Sequence, residues 1–267
     1  MSLTYSSYLR LDELLALQQP LSGGRGEAEH DETLFIVIHQ VYELWFKQIL
    51  HELDRLLALF GDPDAEKDTT PDVLLTLGRI RTILKTMVAQ IDVLETMTPM
   101  DFLSFRDRLE SASGFQSPQF REVELVLGLR NRKMLVPHRE NAKAVERLER
   151  RLGEPSLYQA FLGYLKKNGY DLPESAVAVA DEPPEGPEIR SALVAIYRSD
   201  DHRLTQVCER LVDLDEGLQE WRYRHVKMVE RTIGNKRGTG GSAGTAYLRK
   251  TLFRPAFPDL WNIRTEL

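Results

Sequence analysis

From residue 204 onward the apolar side chains of this sequence fall at Leu204, Val207, Leu211, Leu214, Leu218 and Trp221, then at Met228, Val229 and Ile233. Steps of three and four draw one stripe down a helix of about 3.6 residues per turn, and the rest of the chain has to cover it. His225 sits on that stripe, four residues after Trp221 and three before Met228. An imidazole facing an apolar interior is either a satisfied core residue or a ligand, and periodicity does not choose between the two. The helix runs into Gly234, and residues 238–244 then read Gly-Thr-Gly-Gly-Ser-Ala-Gly, a flexible loop rich in backbone donors.

The same spacing covers nearly the whole chain, and strand-like alternation is scarce. Residues 9–17 predict a short amphipathic helix after Tyr5 and Tyr8, and residues 18–29, with Pro20 and Gly23, predict a loop. Asp31 is placed to cap a helix over 33–60, whose first half is apolar almost all round and so suits deep burial or a subunit interface. Phe35 and His39 share one face of that helix. After a turn at 61–63, Thr70-Pro71 reads as cap and first helical residue, and a clean stripe runs from Val73 to Leu94. Thr98-Pro99-Met100-Asp101 has the capping-box pattern and opens a short helix bearing Phe102 and Arg106 four apart. Further helices are expected over 120–130, 139–152, 157–167 and 188–198. The Pro- and acid-rich segment 169–187 reads as a surface loop, and the tail from 253 carries many helix breakers. These patterns predict one all-α domain over 1–267, a helical bundle of about two long antiparallel hairpins with smaller helices. Cofactor sites in such bundles form between facing helices.

Composition narrows the function. The 267 residues are 42% hydrophobic and 28% charged, the balance of an ordinary soluble domain. A net charge of -6 speaks against a nucleic-acid or anionic-membrane surface. No apolar run reaches the roughly 18 residues of a membrane span. The first residues lack the basic-then-apolar layout of a signal peptide, so a cytoplasmic protein is expected. Cys208, the only cysteine, rules out an intrachain disulfide, a CxxC zinc site and a cysteine-held iron–sulfur cluster. A metal therefore needs His, Asp, Glu or a non-protein ligand.

Most catalytic motifs are absent. His51-Glu52 begins like HExxH, but Arg55 stands where the last ligand belongs. The repeated Glu-x-x-His pairs of a di-iron bundle are missing. The glycine loop lacks the Gly-Lys-Ser/Thr ending of a phosphate-binding loop and follows no strand. No strand-to-helix nucleophile elbow is signalled. What remains is a pair of imidazoles, His39 and His225, on apolar helix faces far apart in the sequence. One neutral imidazole can hold haem iron while a second shapes the opposite pocket; two core histidines are the plainer alternative. Arg106 beside Phe102 needs an anion, either a substrate carboxylate bound bidentately or an ordinary glutamate on a neighbouring helix.

The residues carry a resemblance. Phe35-Ile36-Val37-Ile38-His39-Gln40 with Glu43-Leu44-Trp45-Phe46-Lys47 is similar to the distal motif of the tryptophan 2,3-dioxygenase family. So are Leu94-Glu95-Thr96-Met97-Thr98, Asp101-Phe102, Phe105-Arg106 and Ser113-Gly114-Phe115-Gln116-Ser117. Trp221-Arg222-Tyr223-Arg224-His225, Met228-Val229, Gly234 and the glycine loop complete the match, with Tyr5-x-x-Tyr8-Leu9 at the start. The blocks keep the family's order and spacing along almost the entire chain.

The resemblance implies an all-α homotetramer, a dimer of dimers, with one haem b per subunit. His225 would be the axial ligand of the iron, with Trp221 beside the cofactor, and His39 the distal histidine near the indole N–H. Arg106 would bind the substrate carboxylate, helped by Thr239 from the glycine loop acting as a lid. Phe35 and Phe102 would wall the indole, and Tyr5, from the segment 1–20, would enter a neighbouring subunit's pocket. Ser113 would lie near the haem propionates or the substrate ammonium. The implied chemistry inserts both atoms of O₂ across the indole C2–C3 bond of L-tryptophan on ferrous haem, giving N-formyl-L-kynurenine, the first step of tryptophan catabolism. Two other outcomes suit the same residues in part: an indole monooxygenase giving an oxindole-type product, and a haem sensor that turns nothing over. A gas sensor needs no carboxylate clamp, which sets Arg106 and Thr239 against the second.

Overall fold

The computed structural model describes residues 2–24, 28–62, 68–200, 202–239 and 244–267. Part of the turn expected at 61–63, and Gly240, Gly241, Ser242 and Ala243 of the glycine loop, lie outside these residues. Most of the described residues are helical, and no strand is found among them.

Two short helices, α1 (Tyr5–Leu9) and α2 (Leu11–Leu14), replace the single one expected over 9–17. Arg10 takes left-handed backbone (φ 51) and so ends one turn and starts the next. Neither helix buries a residue. The long helix α3 (His30–Gly61) starts ahead of the expected cap, with Asp31 and Glu32 in its first turn, where negative charge suits the helix dipole. Glu32 is buried and accepts from the backbone N–H groups of Leu21 and Ser22 at 2.8 and 2.9 Å, pinning the loop that precedes α3. The apolar first half of α3 is only partly covered within this chain: Ile38 is buried but Val37 is exposed.

α4 (Thr70–Leu94) begins one residue earlier than expected, flanked by Thr69, with Pro71 in its first turn. It returns antiparallel to α3: Tyr42 pairs with Met87, Glu52 with Arg79 and Arg55 with Asp72. α5 (Pro99–Arg106) opens with the capping box of Thr98 and Asp101, as its sequence predicts. α6 (Pro118–Val126) is shorter than the 120–130 expected, because Gly128 turns the chain at a φ of 90°. A 3₁₀ segment, Arg132–His138, holds Pro137 and delays α7 (Ala142–Gly153) to a start capped by Asn141. α8 (Leu157–Lys167) matches its expected span and carries a Ser156–Gln159 capping box. Segment 169–187 is not all loop: buried Leu172 and Ala176 anchor a short α9 (Glu174–Val177). α10 (Pro187–Arg198), the second long helix α11 (His202–Ile233), α12 (Thr245–Arg249) and α13 (Pro258–Asn262) complete the chain.

The expected pair of long hairpins is corrected to one hairpin plus a parallel helix. Arg81 faces Asp213, Leu84 touches Gly217 and Asp92 pairs with Arg224, so positions rise together along α4 and α11. The long crossover through α5–α10 makes that direction possible. At Gly217 an added Cβ would sit 3.3 Å from Leu84 Cδ1, so glycine lets the two helices close in at this crossing. The core lies among α3, α4 and α11, where Leu53, Leu77, Leu211 and Leu214 are essentially inaccessible. Burying each such side chain stabilises the fold by about 1.5–3 kcal/mol. The tail, despite its prolines, is core: Ala256, Phe257, Leu260 and Ile263 are fully buried. Buried Asp215 on α11 holds it, accepting from the N–H groups of Ala256 (2.9 Å), Phe257 (3.2 Å) and the Trp261 indole (2.9 Å).

Candidate active site

A cavity of about 250 Å³ opens between the N-terminal half of α3, α5, α6, the C-terminal half of α11 and α12. It brings together Phe35, His39, Phe102, Arg106, Ser113, Trp221, His225 and Thr239, which lie up to two hundred residues apart in the chain. Tyr5 is elsewhere, three-quarters exposed on α1.

His39 and His225 enter from different long helices. Nδ1 of His39 lies 2.7 Å from the carbonyl oxygen of Phe35, one turn back. A carbonyl only accepts, so Nδ1 carries the proton and the lone pair of Nε2 remains for another partner. Burial pushes the His39 pKa down, opposed by that carbonyl and by Glu43. His225 is pushed down to about 4, by burial first and then by its neighbours His39 and Arg121. Both imidazoles are therefore neutral at pH 7. The ring of His225 stacks on Trp221, centroids 5.4 Å apart and planes 14° from parallel, and has no hydrogen-bond partner among the described residues.

Phe35 contacts the His39 ring (4.1 Å between centroids) and Phe102 (5.6 Å), building an aromatic wall. Phe105 packs behind that wall, fully buried and edge-on to Phe102. Arg106 extends from the last turn of α5. Its Nη2 donates to the carbonyl oxygen of Arg237 at 2.6 Å, and its buried Nε has no partner. The glutamate partner that was one alternative for Arg106 is not found among the described residues. Thr239 donates to the carbonyl oxygen of Ala112 at 2.5 Å, and with the Arg106–Arg237 contact this ties residues 237–239 to the 106–113 segment. Ser113 caps the following 3₁₀ turn, its Oγ accepting from Phe115 N–H.

Sequence reasoning passed over a charged cluster in the same wall. Arg121 and Glu124 on α6 and Arg222 on α11 are all buried, and both guanidinium groups bind the one carboxylate. Charges on a helix are ordinarily read as a solvated face, and nothing local to α6 marks these as interior. Tyr247 of α12 also lines the cavity, its ring edge-on to Phe115.

The family model described as tryptophan 2,3-dioxygenase matches residues 1–178 and 188–267. The chain belongs to the tryptophan 2,3-dioxygenase family. The break in the match falls inside the Pro- and acid-rich segment 169–187. Among relatives named tryptophan 2,3-dioxygenase, one from Herpetosiphon aurantiacus is 56% identical, covering 100% of this chain and 99% of its own. One from Anaeromyxobacter dehalogenans is 54% identical over 100% of this chain and 97% of its own. A more distant member of the family, from Pseudomonas fluorescens, is 39% identical over 100% and 92%. No helix among the described residues is long and apolar enough to cross a membrane.

Proposed function

We propose that this chain catalyses the reaction its relatives are named for, the dioxygenation of L-tryptophan across the indole C2–C3 bond to N-formyl-L-kynurenine. One arrangement carries the reading: Arg106, a guanidinium with no carboxylate partner among the described residues, lines an aromatic cavity that holds two neutral imidazoles.

The residues fit a haem. Among the described residues no group of three His, Cys, Asp or Glu side chains gathers, so a metal here brings most of its own ligands. His225 offers one neutral nitrogen donor to such a metal, backed by the stacked Trp221. Ferrous haem b would supply the activation of dioxygen. The protein groups do the rest. Arg106 fixes the amino-acid carboxylate, a charge-assisted contact that strengthens as water leaves. Thr239 approaches from the loop, and Ser113 lies near the same end. Phe35 and Phe102, packed against each other, wall one side of the indole ring, which sets its reacting edge in register. His39 accepts the indole N–H at the Nε2 lone pair that its Phe35 contact leaves free. The loop then closes and excludes water.

The exposed N-terminal segment supports the homotetramer. Leu3, Tyr5, Tyr8 and Leu15 are mostly exposed here, and the partner subunit's Tyr5 would complete the cavity. The buried, unpaired Cys208 suits a reducing cytoplasm.

Reduced, anaerobic protein mixed with tryptophan and then dioxygen should yield N-formylkynurenine by mass. A product one oxygen heavier than tryptophan would instead establish the monooxygenase, and no product the sensor. His225→Ala should lose the Soret band with the helix content intact, and a native spectrum in that variant refutes the axial assignment. His39→Ala should keep its haem and lose roughly tenfold in kcat/KM, the scale of one hydrogen bond.

A further inference from the structure

One feature of the cavity wall has no task in the proposed reaction. Glu124 is buried between two guanidinium groups, Arg222 at 2.6 Å and Arg121 on its other oxygen. One carboxylate cannot neutralise both, so the cluster keeps a surplus positive charge in a low-dielectric wall, a costly state unless an anion joins it. Glu43, the other cavity carboxylate, is occupied elsewhere, accepting from the Gln119 amide at 2.8 Å. Arg222 spends a second donor on the carbonyl oxygen of Thr251. Arg121 is less satisfied, although the Tyr247 hydroxyl also lies against it. Its Nε is buried without a partner, and its guanidinium lies 5.3 Å over Phe115 and 5.1 Å over Phe120. Those ring faces attract a cation but accept no N–H donor as a carboxylate does. All three charged residues line the cavity, as do His225 and Ser113.

We infer that Arg121, backed by the Glu124–Arg222 pair, is the anion seat of the cavity and receives a propionate carboxylate of the haem. The assignment rests on the haem reading given above. It separates two carboxylate sites by chemistry: Arg106, held by a loop carbonyl, takes the mobile substrate, and Arg121, held by a buried ion pair, takes the resident group. Rigid support suits the group that stays, because a guanidinium already ordered loses little freedom on binding.

The test is haem loss from the holoprotein to excess apomyoglobin, followed at the Soret band. Arg121→Gln should release haem at least about tenfold faster than wild type, and Arg121→Lys should fall between them. Wild-type protein assembled with haem dimethyl ester, whose propionates carry no charge, should release it about as fast as Arg121→Gln releases haem. Arg121→Gln should no longer distinguish ester from acid. Equal release of ester and acid by wild type overturns the inference, and that arm needs no variant to fold. So does an Arg121→Gln protein that retains haem normally while its KM for tryptophan rises, since Arg121 would then serve the substrate. If neither porphyrin gives a Soret band that depends on His225, the haem reading itself has failed, and the two failures are distinct.

Discussion

The guanidinium of Arg106 is tied to the main-chain carbonyl of Arg237, 131 residues further along the chain, at 2.6 Å. The acceptor is neutral and takes one donor, while a carboxylate takes two and carries charge. On the proposed reading, a substrate carboxylate would compete with that carbonyl for Arg106 and win by the stronger contact.

Arg106→Gln should raise the KM for tryptophan by about tenfold to a hundredfold, the range for a hydrogen bond to a charged group. Binding of tryptamine, which lacks the carboxylate, should change little. A variant that weakens both ligands equally would show that Arg106 shapes the cavity and does not bind the carboxylate.

Gly244 ends the glycine loop with φ 60 and ψ -134, and a Cβ there would lie 2.6 Å from the carbonyl oxygen of Lys236. Gly244→Ala should strain the approach of residue 244 to Lys236 by about 1–3 kcal/mol. The expected result is a KM for tryptophan raised about tenfold, with unchanged haem content and faster proteolytic cutting near Lys236. Unchanged cutting with a normal KM would mean that the loop does not need this conformation.

Asp215 accepts three N–H groups from the tail at one buried carboxylate oxygen. Asp215→Ala strands those donors, and stability should fall by about 3 kcal/mol or more. In a chain of this size that lowers Tm by roughly 6–12 °C. Thermal unfolding within a degree or two of wild type would show that water replaces the carboxylate.

His138 closes the 3₁₀ segment after α6, buried with its Nε2 unpartnered. Burial lowers its pKa, and Arg121 lowers it further. The unfolded chain, with a value near 6.5, then holds the extra proton between the lowered pKa and about pH 6.5. Stability is complete above that pH and falls as acid is added. His138→Gln should flatten this limb by up to about 1.4 kcal/mol per pH unit, seen as a smaller change in Tm below pH 6.5. An identical acid slope in the variant would assign the loss to other groups.

Much of the fold was legible because helical order is local. The stripe from Leu204 to Ile233, the Thr98–Asp101 capping box and the span of α8 depend on residues within a few turns, so spacing alone places them. Boundaries erred where a distant contact intervened. The start of α3 follows the grip of Glu32 on the preceding loop, and the breaker-rich tail folds because Asp215 supplies acceptors from another helix. Motifs picked out most of the candidate site's lining: Phe35, His39, Phe102, Arg106, Ser113, Trp221, His225 and Thr239 line one cavity, while Tyr5 stands exposed on α1.

What the sequence by itself determined is the all-helical character of the chain, its apolar stripes and the aromatic residue one turn before each of His39 and His225. Only the tertiary structure decided that α11 runs parallel to α4, that Arg106 meets a carbonyl and not a glutamate, and that Arg121 and Arg222 share one buried carboxylate. Periodicity reports which residues face inward on one element. It says nothing of which element they face, and the charge state and free donors of an interior group depend on that neighbour.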